Sequence, residues 1–127
     1  MNRILVTNNI LVYEKYKASM DITYKEDFSY LDVLNYTRDL IHQGHELLTH
    51  PLSGSIKPNE TPFKTIIVSS KARKLDYNSL RIIEESIQVA KKFVAHKPIP
   101  NWSDKILNDF RVIDLSLIGN TIDMKFK

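Results

Sequence analysis

The stretch Leu47–Lys64, LLTHPLSGSIKPNETPFK, holds three of the five prolines of the chain and has apolar runs on both sides. A polar segment of this length inside a small domain is a functional loop or a disordered one. On its entry side, Glu46 to Thr49 reads as a brief buried strand. On its exit side, Thr65 to Ser69 (TIIVS) reads as another, since β-branched residues dominate both flanks.

Working outward toward the start, Arg3 to Thr7 (RILVT) is a short apolar run that ends in the polar pair Asn8-Asn9. It predicts a buried strand followed by a short helix over about Ile10 to Lys17, with Asn8 or Asn9 as its cap. Met20 to Tyr24 alternates apolar and polar residues, as an edge strand does. Ser29 then opens a helix through Tyr30, Leu31, Leu34, Leu40 and Ile41. Asp32 stands at the capping-box position and Gly44 at the C-terminal stop.

Beyond the loop and its exit strand, Asp76 caps a long helix to about Lys97. Its apolar residues Leu80, Ile83, Ile87, Ala90 and Val94 recur every three or four positions. Pro98 and Pro100 end it. Ser103 starts a last helix with Ile106, Phe110, Ile113 and Leu117 on one face, stopping near Gly119. Thr121 to Phe126 alternates again and predicts an edge strand or a frayed tail for residues 121–127.

This alternation of strands and helices predicts an α/β fold: a small, mostly parallel four-stranded sheet flanked by helices, in a single three-layer domain spanning 1–127. In such a sheet, ligands bind beyond the carboxyl ends of the strands. Thr7-Asn8-Asn9 and Thr49-His50 lie at two of those ends, so the first turn and the long loop are expected to meet on one rim.

A chain of 127 residues, 43% hydrophobic and 26% charged, has the composition of a soluble globule able to bury its own core. The net charge of +3 is too small and scattered to argue for nucleic acid. Absence of cysteine excludes disulfides, thiolate metal sites and cysteine nucleophiles. The opening MNRILVTNNILVYEKYK lacks an apolar run long enough for a signal peptide or a membrane span, which predicts a cytoplasmic protein with no membrane partner. The triplets at Asn35, Asn59 and Asn101 that match a glycosylation acceptor carry no meaning in that compartment.

Candidate ligand-binding residues follow from the rim: Thr7, Asn8, Asn9, Thr49, His50, Ser53, Gly54, Ser55, Lys57, Asn59 and Glu60. Ser53-Gly54-Ser55 supplies hydroxyls and converging N–H groups suited to an anion, with Lys57 adding charge. His50, Ser53 and Glu60 contain the residue types of a base, a nucleophile and an orienting acid, which makes His50 and Glu60 the candidate catalytic pair. Spacing cannot show a triad. His42, His45, His50 and Glu46 could suggest a metal, but His42 suits a helix C-terminus and Gly44 separates it from His45, so no metal and no cofactor is expected. Trp102 is either an anchor for the last helix or an exposed contact for a partner.

The string Thr49 to Pro62 (THPLSGSIKPNETP), together with Thr7-Asn8-Asn9 and Ser29-Tyr30-Leu31-Asp32-Val33-Leu34, resembles the GrdX family over about Arg3 to Ile118. Members accompany the glycine, sarcosine and betaine reductase systems of amino-acid-fermenting anaerobic bacteria. The resemblance implies an accessory role beside those reductases and brings no catalytic residues with it. Three functions follow. One is a non-catalytic accessory recognising a small anionic ligand or a reductase component through the 47–64 loop. Another is an enzyme acting on a small carboxylate or acyl phosphate with His50 as acid or base. The third is a structural subunit that associates, with a second copy or another protein, through Trp102 and the tail.

Overall fold

The structure is a computed structural model and describes residues 3–54 and 56–125. Its elements are β1 (Arg3–Thr7), α1 (Ile10–Tyr16), β2 (Asp21–Tyr24), α2 (Tyr30–His42), β3 (Thr65–Ser69), α3 (Tyr77–His96) and α4 (Asp104–Lys125). The sheet has three strands in the order β2-β1-β3. β1 and β2 run parallel, joined through α1, with Ile4 opposite Asp21. β1 and β3 run antiparallel, with Thr7 opposite Thr65 and Arg3 opposite Ser69.

This corrects the expected four-stranded, mostly parallel sheet, and the proline loop is the reason. A parallel neighbour requires a crossover from one rim to the other. The 47–64 loop instead leaves and re-enters on the same rim, which reverses the chain, so β3 runs against both β1 and the segment before the loop. That segment, Glu46 to Thr49, makes one antiparallel bridge, Leu47 to Val68, and is no full strand. Two backbone bonds hold it to β3, from the Leu48 N–H to the Ile67 carbonyl and from the Ser69 N–H to the Glu46 carbonyl, and side chains take other backbone groups. The Leu47 N–H goes to Ser79 Oγ, the Glu46 N–H to Ser69 Oγ, and Thr49 Oγ1 accepts from the Ile67 N–H.

Successive residues of the central strands point to opposite faces, and helices cover both. Val6, Ile66 and Val68 pack with Val33, Leu34 and Ile41 of α2 and Ile83, Ile87 and Ala90 of α3. Leu5 and Ile67 pack on the other face with Val12 of α1 and Ile118 of α4. Each fully buried aliphatic side chain contributes roughly 1.5–3 kcal/mol. The caps follow the sequence: Asn9 Oδ1 accepts from the Leu11 N–H, Ser29 and Asp32 form the reciprocal box, and Asp76 Oδ2 accepts from the Ser79 N–H. Gly44, at φ +107°, lets α2 turn out where a side chain would occupy the Arg73 carbonyl.

α4 does not stop near Gly119. It continues to Lys125, so the edge strand or tail expected over 121–127 is helix as far as 125, and 126–127 lie outside the described residues. Leu115, Ile118 and Ile122 recur at helical spacing on the core of Leu5, Val12 and Ile67. That contact outweighs the period-two pattern of Ile122 and Met124, and leaves Met124 exposed.

Candidate functional site

Because Thr7 and Thr65 are register partners, the carboxyl end of β1 lies beside the end of the loop. Asn8 joins them. Its Nδ2 donates to the Pro62 carbonyl at 2.8 Å and the Phe28 carbonyl at 2.9 Å, while its Oδ1 accepts from the Lys64 N–H at 2.9 Å. Asn9 turns the other way. Besides capping α1, its Nδ2 donates to the Arg111 carbonyl at 2.9 Å and to Asp114 Oδ2 at 3.0 Å, tying the first turn to α4.

A chain of hydrogen bonds runs inward from there. The Asn9 N–H donates to Thr7 Oγ1 at 3.0 Å, and Thr7 and Thr65 hydroxyls lie 2.7 Å apart. Thr65 Oγ1 donates to Asp114 Oδ2 at 2.7 Å. Since Thr65 has one hydroxyl proton and gives it to the carboxylate, Thr7 is the donor between the two threonines. Asp114 is 7% exposed. Burial raises its pKa above the ordinary value, opposed by the hydrogen bonds from Asn9 and Thr65 and by the charge of Lys64.

Lys64, the last residue of the loop, is 6% exposed. Its ammonium donates to the Ser53 carbonyl at 3.2 Å and stands 6.0 Å from the centre of the Tyr30 ring. Burial lowers its pKa, and Asp114 opposes that shift. Tyr30 is held as the neutral phenol, first by burial and then by Asp114. Tyr30, Thr61, Lys64 and Asp114 share a cavity of about 20 Å³ whose more exposed walls are Ile113 and Leu117. That volume fits one water-sized group. An ammonium carries three N–H donors, and the Ser53 carbonyl is its only acceptor among the described residues. A dehydrated cation with unused donors attracts an anionic oxygen far more strongly than a solvated lysine does.

The remaining predicted site residues divide between other surroundings. Thr49 is buried and occupied with the Ile67 N–H. His50 is exposed, and its Nδ1 accepts from the Leu52 N–H. Gly54, at φ +94°, packs on Leu117 of α4. Ser55 lies outside the described residues. Lys57, Asn59 and Glu60 form one turn, closed by the Lys57 N–H on Glu60 Oε1 and the Glu60 N–H on the Lys57 carbonyl. They line a different hollow, of about 210 Å³, with Lys97, Pro100 and Trp102. No side-chain hydrogen bond links His50, Ser53 and Glu60 among the described residues. His42 stands exposed at the end of α2, and His45 Nδ1 lies 2.7 Å from the Ser69 carbonyl, at the opposite rim from His50.

Of the predicted residues, Ser53 lines this cavity; Thr7, Asn8 and Asn9 stand behind it through hydrogen bonds to Thr65, Lys64 and Asp114, and Lys57, Asn59 and Glu60 do not line it. Reasoning from the sequence missed Tyr30, Lys64, Thr65 and Asp114. One signal was there to be read: Asp114 sits four residues after Phe110 and four before Ile118, an acid on the inward stripe of a helix. A surface depression of about 680 Å³ near Lys71, Arg73 and Lys74 lies at the opposite end of β3 and exposes all three cations to solvent.

A family model described as GrdX-like protein matches residues 4–123. No curated protein and no solved structure matches the chain. No helix among the described residues is long and apolar enough to cross a membrane.

Proposed function

The chain belongs to the GrdX-like protein family, and from that premise we propose that it is a non-catalytic, cytoplasmic accessory protein that recognises a small carboxylate by taking one of its oxygens into the Lys64 cavity. Family membership implies an association with glycine-reductase-related systems. The observation that carries the finer reading is the Lys64 ammonium, buried under the proline loop with one protein acceptor. The neighbouring Asp114 carboxylate repels a second negative charge, so the site favours a monoanion over a dianion such as hydrogen phosphate. Ile113 and Leu117 at the edge suit an apolar or methylene portion of the ligand.

Thermal denaturation of wild type and Lys64→Met in rising acetate, glycine and phosphate tests the proposal. A ligand that binds only the native state stabilises it by about 2.7 kcal/mol at a hundredfold excess over Kd. A saturable rise in Tm with a carboxylate in wild type, lost in Lys64→Met, supports the site. Equal responses from both proteins, or none from either, overturn it.

A further inference from the structure

The second hollow has its own chemistry, and nothing about it depends on the Lys64 cavity. The run Ser86 to Ser103, SIQVAKKFVAHKPIPNWS, contains no Asp or Glu but carries Lys91, Lys92, His96 and Lys97. α3 delivers these cations beside the loop turn that holds Lys57, and the Asn59 Nδ2 donates to the Lys97 carbonyl at 3.1 Å to fix the two segments together. Lys57 Nζ stands 6.0 Å from the centre of the Phe93 ring, which places Phe93 between two hollows. On one side is the hollow of about 210 Å³ floored by Trp102. On the other is an apolar one of about 320 Å³ formed by Val89, Lys92, Phe93 and His96.

Three features of this surface are unusual for a solvated helix end. Val89 is 39% exposed in the middle of it. Glu60, which lines the Trp102 hollow, already accepts from the Lys57 N–H, and its carbonyl accepts from Trp102 Nε1 at 2.8 Å. Asn59 Oδ1 is buried yet has no hydrogen-bond partner among the described residues. The cations outnumber the acid and call for carboxylates, and the apolar centre calls for an apolar side chain.

We propose that this surface docks an acidic peptide segment of a partner protein: an apolar side chain seated on Val89 and Phe93, with flanking carboxylates on Lys57, Lys92 and Lys97. Trp102 is the only tryptophan of the chain, so its fluorescence reports on the docked segment directly.

The test titrates the full chain with the blocked peptide acetyl-Glu-Glu-Asp-Leu-Phe-Glu-Asp-Glu-amide, following Trp102 fluorescence and amide chemical shifts, beside a control in which every acid is lysine. The proposal expects saturable binding by the acidic peptide only, with shifts concentrated at Asn59, Phe93, Lys97 and Trp102. Lys92→Glu and Lys97→Glu should each weaken it by roughly five- to tenfold at low salt. Val89→Asp should weaken it too, with native dispersion of the spectrum as the check on folding. Absence of saturable binding, equal binding of the lysine control, or shifts centred instead on Lys71, Arg73 and Lys74 would overturn the assignment.

Discussion

Lys64 and Asp114 line the same buried cavity while each is held by other partners: the ammonium by the Ser53 carbonyl at 3.2 Å, the carboxylate by Asn9 at 3.0 Å and Thr65 at 2.7 Å. The loop and α4 thus meet through two opposite charges that stabilise one another across a void. Breaking one member of such a pair leaves an uncompensated buried charge, which is costlier than losing both.

That arrangement makes Asp114 visible in the pH dependence of stability. Its folded-state pKa is raised above the ordinary 3.8, so between those values the native state binds the proton more tightly than the unfolded chain. Its contribution to stability is therefore greatest at low pH and is lost as pH rises through the raised value. Asp114→Asn should flatten that part of the profile. The check is the difference in urea midpoint between wild type and Asp114→Asn from about pH 4 to about pH 7, which should shift in favour of the variant as pH rises.

The Asn8 amide makes three hydrogen bonds to the backbone of two other segments and is 4% exposed. Asn8→Ala should cost about 2–4 kcal/mol, because buried donors and acceptors on the loop lose their partner. His50→Ala, at an exposed position, should stay within about 0.5 kcal/mol. Urea denaturation of the two variants side by side measures the contrast.

Ile87 lies fully buried in the layer between α2, α3 and the sheet. Ile87→Asp places an unpaired carboxylate there, a penalty of several kcal/mol against a total stability of about 5–15 kcal/mol. Loss of the cooperative thermal transition is the expected outcome. An unchanged midpoint would show that α3 is packed elsewhere.

Gly44 combines a left-handed backbone with contact against the Arg73 carbonyl. Gly44→Ala should therefore cost more than the roughly 1–3 kcal/mol of the backbone strain alone, since the 70–76 turn must also move. Gly54, also at positive φ, would meet only the flexible end of Leu117, so Gly54→Ala should cost less. Comparing the two by chemical denaturation separates strain from overlap.

Local signals decided most elements from the sequence. The caps at Asn9, Ser29 and Asp76, the stop at Gly44 and the apolar spacing of α2 and α3 are set by neighbours within a few residues, and the structure follows them. The end of α4 was misread because Ile122 and Met124 fit a period of two as well as a helix. Only packing of Ile122 on the core of Leu5, Val12, Ile67 and Ile118 separates the alternatives.

Strand direction and the site needed the whole fold. Whether β3 runs with or against β1 depends on which rim the 47–64 loop returns to, and no residue inside the loop encodes that. Likewise, Lys64 and Asp114 are fifty positions apart, and each alone is an ordinary charged residue. Tertiary packing makes them a site, because closing the loop over α4 removes both charges from water and changes what they can hold.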